Sequence, residues 1–186
     1  MRRGLAGPAL LAAGGLSLLL LALSSPRAEA RVEAPGAPRP GPARDPHAPL
    51  PGQPRAGSGF GWRTDPLTKQ TAFHRGLDIP VQVGTPVYAP FDGVVERVDR
   101  AGVGRGVTNG HAVFVRSNGY LWAFLHLSSV ATPLGTTVQR GQLLGRTGQT
   151  GRATGPHLHV QVYDPSGRLV DPLSVYPQDT FARRTP

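Results

Sequence analysis

The sequence predicts a mainly β domain that begins near residue 58, and two observations lead to that prediction. Short apolar runs alternate with turn signals about every ten residues, which is typical of strands joined by short loops. No segment of useful length has the hydrophobic period of a helix. The candidate strands are 77–79, 86–88, 94–98, 112–116, 120–127, 142–146 and 157–163.

Turn residues separate these candidate strands. Asn118-Gly119 lies between two of them and is the dipeptide that most readily adopts the positive φ of a tight hairpin. Asp92-Gly93 and the segment 164–167 are turns of the same composition. The pattern therefore favours strands that follow one another through hairpins.

Residues 1–30 are typical of a secretory signal peptide. Two arginines follow Met1, a Leu- and Ala-rich run extends to Leu23, and Ala28-Glu29-Ala30 places small residues at a signal peptidase site. A retained membrane anchor is the alternative, although the apolar run is near the lower length limit for a span. We expect cleavage after Ala30, export to the periplasm, cell envelope or extracellular space, and no membrane span in the cleaved chain.

The segment after the signal peptide has the composition of a linker. Residues 31–57 are dominated by Pro, Ala, Gly and Arg, with almost no large apolar residue. Such a segment cannot bury enough surface to offset the entropy of ordering it. The sequence thus predicts a disordered linker over 31–57, a folded domain over 58–175 and a polar tail over 176–186.

Charge and cysteine content limit the partners and the metal ligands. The chain has no cysteine, so a zinc site would have to use His, Asp or Glu. Its net charge of +9 suits the anionic polymers of a cell envelope. Nucleic-acid binding is the competing explanation, but no basic-aromatic cluster or binding motif is present, so we expect no nucleic-acid partner.

The run His157-Leu158-His159, which follows a glycine-rich loop, is the most informative stretch. On a strand, residues i and i+2 share a face and lie roughly 6.5–7 Å apart. Two imidazoles on one face can serve one reaction centre, one as metal ligand and the other as acid or base. Leu158 would then point into a core.

A second pair of candidate ligands is His74 and Asp78. Gly76 between them and Pro80 after them argue against a shared helix face. On a straight strand the two residues would lie roughly 13 Å apart, too far for one ion. A bend at Gly76 would bring them together.

The third stretch runs from Tyr120 to Leu127. Its alternate residues Tyr120, Trp122, Phe124 and His126 are expected to share one face. The simplest interpretation is an aromatic core face with a hydrogen-bonded histidine at its end.

Together the three stretches meet the needs of a catalytic zinc site. Such a site takes three protein ligands and leaves one position open. His74, Asp78 and either His157 or His159 satisfy that count. The other histidine of the pair, with His126, is left for proton transfer and oxyanion stabilisation.

In combination these motifs resemble the lysostaphin/LytM-type zinc endopeptidases of bacterial cell walls, over roughly residues 59–172. Phe124 departs from the tyrosine that this family commonly carries two residues before the histidine that matches His126. The matching stretches are Gly61-Trp62-Arg63, 74–78, 84–87, 92–95, Leu125-His126-Leu127, Gly141-Gln142, 148–159 and Val170-Asp171-Pro172.

The resemblance implies a small antiparallel β-sheet fold with a glycine-rich groove over the metal. It assigns Zn2+ to His74, Asp78 and His159, and catalysis to His126 and His157. The implied activity is zinc-dependent hydrolysis of peptide bonds in peptidoglycan, in stem peptides or cross-bridges. We expect a monomer whose partner is this peptide substrate.

Two other functions are compatible with parts of the sequence. One is a non-catalytic envelope module that activates a cell-wall amidase or binds peptidoglycan, although all five family positions are filled here. The other follows from 84–98 and 141–148, which resemble the barrel-sandwich folds of lipoyl and biotinyl carriers. A carrier needs an exposed lysine on a tight hairpin, and the only lysine, Lys69, lies outside that segment.

Overall fold

The structure of the chain, a computed structural model, describes residues 48–52 and 55–176. The predicted signal peptide, much of the predicted linker and nearly all of the predicted tail lie outside these ranges. The elements are β1 (Gly61–Thr64), β2 (Thr71–His74), β3 (Leu77–Pro80), β4 (Pro86–Tyr88), β5 (Gly93–Asp99), α1 (Gly106–Asn109), β6 (His111–Ser117), β7 (Tyr120–Val130), β8 (Thr137–Val138), β9 (Leu143–Thr147), β10 (His157–Tyr163), β11 (Leu169–Val170) and α2 (Pro172–Val175).

The prediction of a mainly β domain is confirmed, and all seven predicted strands are present. β10 has the predicted bounds, and Asn118 and Gly119 form the predicted turn between β6 and β7, with φ of 48° and 81°. The strands that were not predicted, β1, β2, β8 and β11, have two to four residues each. In these four strands only His74 and Val138 are buried, so no apolar run marks them in the sequence.

β10 is the centre of the large sheet. β7 pairs with one edge of it, while β3 and β11 pair with successive parts of the other edge. β6, β5 and β8 follow beyond β7, and β9 joins β7 to β4. β1 and β2 form a separate hairpin that precedes β3. All pairings are antiparallel, so the strand that carries the two predicted histidines contacts elements from both ends of the domain.

Apolar side chains cover both faces of the large sheet, but unequally. The main core packs on one face and includes Val113, Trp122 and Leu158. A smaller cluster around Phe114 lies on the other face. Leu50 is buried in the main core, so part of the range predicted as linker belongs to the folded unit. Within the described ranges, no helix has the length and apolar character needed to cross a membrane.

Candidate metal centre

β10 presents two histidines to one face of the sheet. Leu158 and Val160 are fully buried in the main core. His157 and His159 therefore share the opposite face, as the period-2 pattern predicts. In the sheet register His159 lies opposite Asp78 of β3, which brings two residues 81 positions apart in sequence into contact.

The link between β2 and β3 brings His74 to the same place. β2 ends at His74 and β3 begins three residues later, so the chain bends at Gly76. A Cβ at Gly76 would collide with the carbonyl oxygen of Val160 and lie 2.7 Å from Nε2 of His159. Only glycine allows this close approach, and the predicted bend is confirmed.

Replacing Gly76 with alanine is expected to weaken the centre by pushing the β2–β3 link away from β10. Overpacking of this kind costs about 1–3 kcal/mol of unfolding free energy, and we expect zinc affinity to fall at least about tenfold, as for loss of a supporting contact. Metal titration and thermal unfolding would measure both effects. Gly59→Ala is the matched control, because a Cβ at Gly59 meets nothing within 4 Å. Unchanged zinc affinity in Gly76→Ala would contradict the prediction.

His74, Asp78 and His159 place three ligand atoms in a small triangle. Oδ1 of Asp78 lies 3.2 Å from Nε2 of His74 and 2.7 Å from Nδ1 of His159. The two nitrogens are 3.2 Å apart. Tetrahedral ligands about 2.0–2.1 Å from zinc lie about 3.3 Å from one another. Two edges match this separation and the third is shorter, and a set of two imidazoles and one carboxylate suits zinc.

Neighbouring groups orient two of these side chains. Nδ1–H of His74 donates to the carbonyl oxygen of Gly59 at 2.6 Å, which leaves Nε2 with a lone pair. Oδ2 of Asp78 accepts a hydrogen bond from Arg63 at 3.1 Å. Arg63 also donates to Oγ of Ser58 at 2.7 Å. Such partners fix the tautomer and orientation of metal ligands.

The protonation states also favour metal binding. Burial lowers the pKa of His159, which keeps its ring neutral. Burial also raises the pKa of Asp78, but its close contacts with His159 and His74 outweigh this effect and hold that pKa well below its usual range. The site therefore offers a charged carboxylate and a neutral imidazole, the forms that bind zinc.

A second triple, His126, His157 and His159, also brings its ligand atoms within 4.8 Å of one another. This triple contains no carboxylate to offset the charge of a divalent ion. The triangle formed with Asp78 combines one carboxylate with two imidazoles at ligand-atom separations of 2.7–3.2 Å, and His126 and His157 lie beside it.

A β-bulge in β7 turns His126 toward the site. From Phe124 to Leu127, β7 advances three residues while β6 advances two, and His126 has a φ of 62°. Such bulges and positive φ values at non-glycine residues are frequent next to active sites. The predicted alternation is therefore wrong at its last member: Trp122 and Phe124 lie in the main core, whereas His126 faces the site.

Phe124 occupies the position at which the resembled family commonly carries a tyrosine. Its side chain is fully buried in the main core and does not line the groove, so phenylalanine at this position leaves the groove surface unchanged.

His126 and His157 form a pair of oriented imidazoles with ring centroids 4.8 Å apart. Nδ1–H of His126 donates to the carbonyl oxygen of Thr150, and Nδ1–H of His157 donates to that of Gly155, both at 2.8 Å. Each Nε2 is thus left as a proton acceptor, and that of His157 lies 3.5 Å from Oδ1 of Asp78. Burial lowers the pKa of His126 to about 4, so this ring is neutral near pH 7.

All five predicted residues line one groove with a volume of about 790 Å³. The β1–β2 turn and the glycine-rich loop before β10 also line it. Arg152 of the loop donates to Asp65 of the turn at 2.8 Å and so joins them. Neither Asp65 nor Arg152 was singled out from sequence, because nothing local marks two charges 87 residues apart as partners.

Solved structures of known proteins share this fold. A zinc-containing peptidase from Vibrio cholerae superimposes with a TM-score of 0.59 at 34% identity, over 67% of this chain and 38% of that one. The catalytic domain of lysostaphin, an antimicrobial peptidase from Staphylococcus simulans, gives a TM-score of 0.56 at 28% identity, over 65% of this chain and 90% of that one.

Sequence relatives agree with the structural ones. A peptidoglycan DD-endopeptidase of Vibrio cholerae, ShyA, is 40% identical over 100 residues, which are 54% of this chain and 22% of that protein. The chain spans about a quarter of the length of the curated relatives it matches. Residues 72–172, which hold the three candidate ligands and both neighbouring histidines, match the family model described as Peptidase family M23. With more than half of its length in that match, this chain belongs to peptidase family M23.

Proposed function

We propose that this chain is a zinc-dependent endopeptidase that hydrolyses peptide bonds in the stem peptides or cross-bridges of peptidoglycan. The observation that carries the proposal is the groove in which three zinc-type ligands lie beside two oriented imidazoles. The names of its relatives support it, since ShyA is a peptidoglycan DD-endopeptidase and lysostaphin an antimicrobial peptidase.

We assign the metal to His74, Asp78 and His159. When bound, zinc supplies Lewis acidity, which polarises a carbonyl group and lowers the pKa of water to near neutrality. The contacts of His74 with Gly59 and of Asp78 with Arg63 hold the ligands in the orientation that this requires.

His126 and His157 are the proton-transfer residues. Each ring keeps its Nδ1–H on a backbone carbonyl, so its Nε2 is available to accept the proton of the attacking water. Once protonated, the same Nε2–H donates to the oxyanion that forms on the scissile carbonyl and later to the leaving amine. Burial of His126 favours its neutral form before this transfer.

The glycine-rich loop before β10 lets an extended peptide approach the backbone. Gly151 has a φ of 74°, which glycine adopts without strain, and a Cβ there would collide with the backbone of Gly110. Gly155 has open space around it. The loop thus combines a tightly packed end with an open one, and the open end borders the groove.

The proposed place of action is outside the cytoplasm, where peptidoglycan lies. The signal peptide predicted over 1–30 and the positive net charge both accord with that place. The proposed substrate is a peptidoglycan peptide, and the proposed acting form is a monomer, because all five site residues of one chain line the same groove.

Metal removal tests this function. We expect purified sacculi to release peptide fragments with the zinc-loaded protein, to release none after chelation, and to release them again on addition of zinc but not of magnesium. Since a bound ligand stabilises the folded state, chelation is also expected to lower Tm by roughly 5–15 °C. Mass spectrometry of the fragments identifies the cleaved bond. A protein that binds zinc yet releases nothing would contradict the proposal and favour the non-catalytic envelope module.

A further inference from the structure

A second cavity of about 580 Å³ adjoins the metal groove and is strongly basic. Thr108, Asn109 and Gln161 line both spaces, so the cavity continues the groove on one side. No carboxylate is among the described residues that line it. Its arginines are Arg75, Arg97, Arg105 and Arg116.

Two of these arginines already have partners that hold them in place. Arg116 forms a bidentate ion pair with Glu96: its Nε donates to Oε1 at 3.0 Å and its Nη2 donates to Oε2 at 2.9 Å. Arg97 lies 3.1 Å from a carboxylate oxygen of Asp99, and its guanidinium carbon stands 3.3 Å above the ring centroid of Phe114. These contacts offset both charges and orient the two side chains along one wall of the cavity.

Arg75 and Arg105 carry the charge that remains. Neither has an acidic partner within the ranges that the structure describes, and both are exposed. Arg75 lines the metal groove as well as the basic cavity. A guanidinium presents parallel N–H donors that match the two oxygens of a carboxylate. The cavity is thus complementary to an anionic group of that shape.

The cavity lies further along β10 than His159, on the same face of the strand. Gln161 and Tyr163, which border it, follow His159 on the same face of β10. They lie roughly 7 and 13 Å along the strand from that ligand, at about 3.3 Å per residue. An extended peptide advances by a similar distance per residue, so a substrate lying along β10 would meet the cavity about two to four residues from the bond at the metal.

We propose that this cavity binds a free carboxylate of the peptide substrate, with Arg75 and Arg105 as its ion-pair partners. The proposal rests on the proposed function and adds the chemical class of one substrate group. Stem peptides of peptidoglycan carry free carboxylates along the chain, on glutamate and diaminopimelate residues. The ion pair would select such peptides over ones whose carboxylates are amidated.

The test compares two dimeric muropeptides, one with free carboxylates and one with the same groups converted to amides. For the wild-type protein we expect kcat/KM to be about 10–100-fold higher with the free carboxylates, as for one or two charge-assisted hydrogen bonds. The Arg75→Gln/Arg105→Gln variant should lose that preference, mainly through a higher KM for the peptide with free carboxylates, and its kcat/KM with the amidated peptide should fall much less. Arg140→Gln, which removes an exposed charge outside both cavities, should keep the preference.

Two outcomes would overturn the inference. One is equal cleavage of both peptides by the wild type. The other is an equal loss on both peptides in the double variant, which would indicate general attraction to envelope anions. Binding of the two peptides to His157→Ala, measured by calorimetry, separates this inference from the proposed function. Arginine-dependent preference in binding without any wild-type turnover would support the carboxylate site and contradict the peptidase.

Discussion

Replacing His159 with alanine is expected to remove both the zinc and the hydrolytic activity. Nδ1 of His159 lies 2.7 Å from Asp78 and 3.2 Å from His74, so its loss leaves only two of the three proposed ligands. Since a metal ion contributes several kcal/mol to transition-state stabilisation, we expect kcat/KM to fall by about 10³-fold or more. Zinc per chain, from elemental analysis, and fragment release from sacculi measure the two effects. Asp78→Asn should behave alike, because it removes the charged ligand with little change in shape.

The matched control for this variant is His111→Ala. His111 begins β6 and belongs to neither group of candidate ligands. It should keep about one zinc per chain and wild-type hydrolysis, which shows that loss of an imidazole elsewhere is harmless. A His159→Ala protein that is folded and retains stoichiometric zinc would refute the assigned ligand set and point to a site formed by His126, His157 and another donor.

Replacing His157 with alanine should separate metal binding from chemistry. Its Nδ1–H donates to Gly155, and its Nε2 lies beside the metal triangle at 3.5 Å from Asp78. Loss of a positioned proton acceptor costs about 10²–10⁴-fold in rate. We therefore expect kcat to fall by that factor while zinc content and Tm stay close to those of the wild type. Stopped assays with a defined muropeptide and elemental analysis give both quantities.

His126→Ala provides the comparison for His157→Ala. If both rings serve one proton-transfer step, the double variant His126→Ala/His157→Ala should lose little more kcat than the worse of the two single variants. The effects of groups that act as a unit are not additive. Additive losses would indicate two independent roles. Wild-type hydrolysis by His157→Ala with full zinc content would remove His157 from the mechanism.

Much of the site could be predicted because its signals are local. His157 and His159 are two residues apart on a strand that the valines mark clearly, so their shared face follows from the period of a strand. Gly76 between His74 and Asp78 indicates a bend, since glycine tolerates the close approach that a bend there needs. The turn at Asn118 and Gly119 could be predicted equally well, because few other residues adopt positive φ readily.

The position of His126 could not be predicted in the same way. Strand alternation places it in the core with Phe124, and only an extra residue in β7 relative to β6 turns it to the site. That bulge and the positive φ of His126 depend on how the two strands pair, which the residues of β7 do not encode by themselves. The hairpin of β1 and β2, which supplies Arg63 and His74, was missed because its residues are mostly exposed or half-buried and no apolar run marks it.

The sequence by itself determined the class of fold, the five side chains of the candidate site and their kinship with a family, because strand period, turn residues and motif spacing are properties of neighbouring residues. Only the tertiary structure decided which atoms meet. The distances among His74, Asp78 and His159 and the salt bridge from Arg152 to Asp65 depend on residues far apart in the chain. So does the placement of Arg75 and Arg105 in one cavity, where neither has an acidic partner among the described residues. Such contacts arise from strand register, and register is set by the packing of the whole sheet.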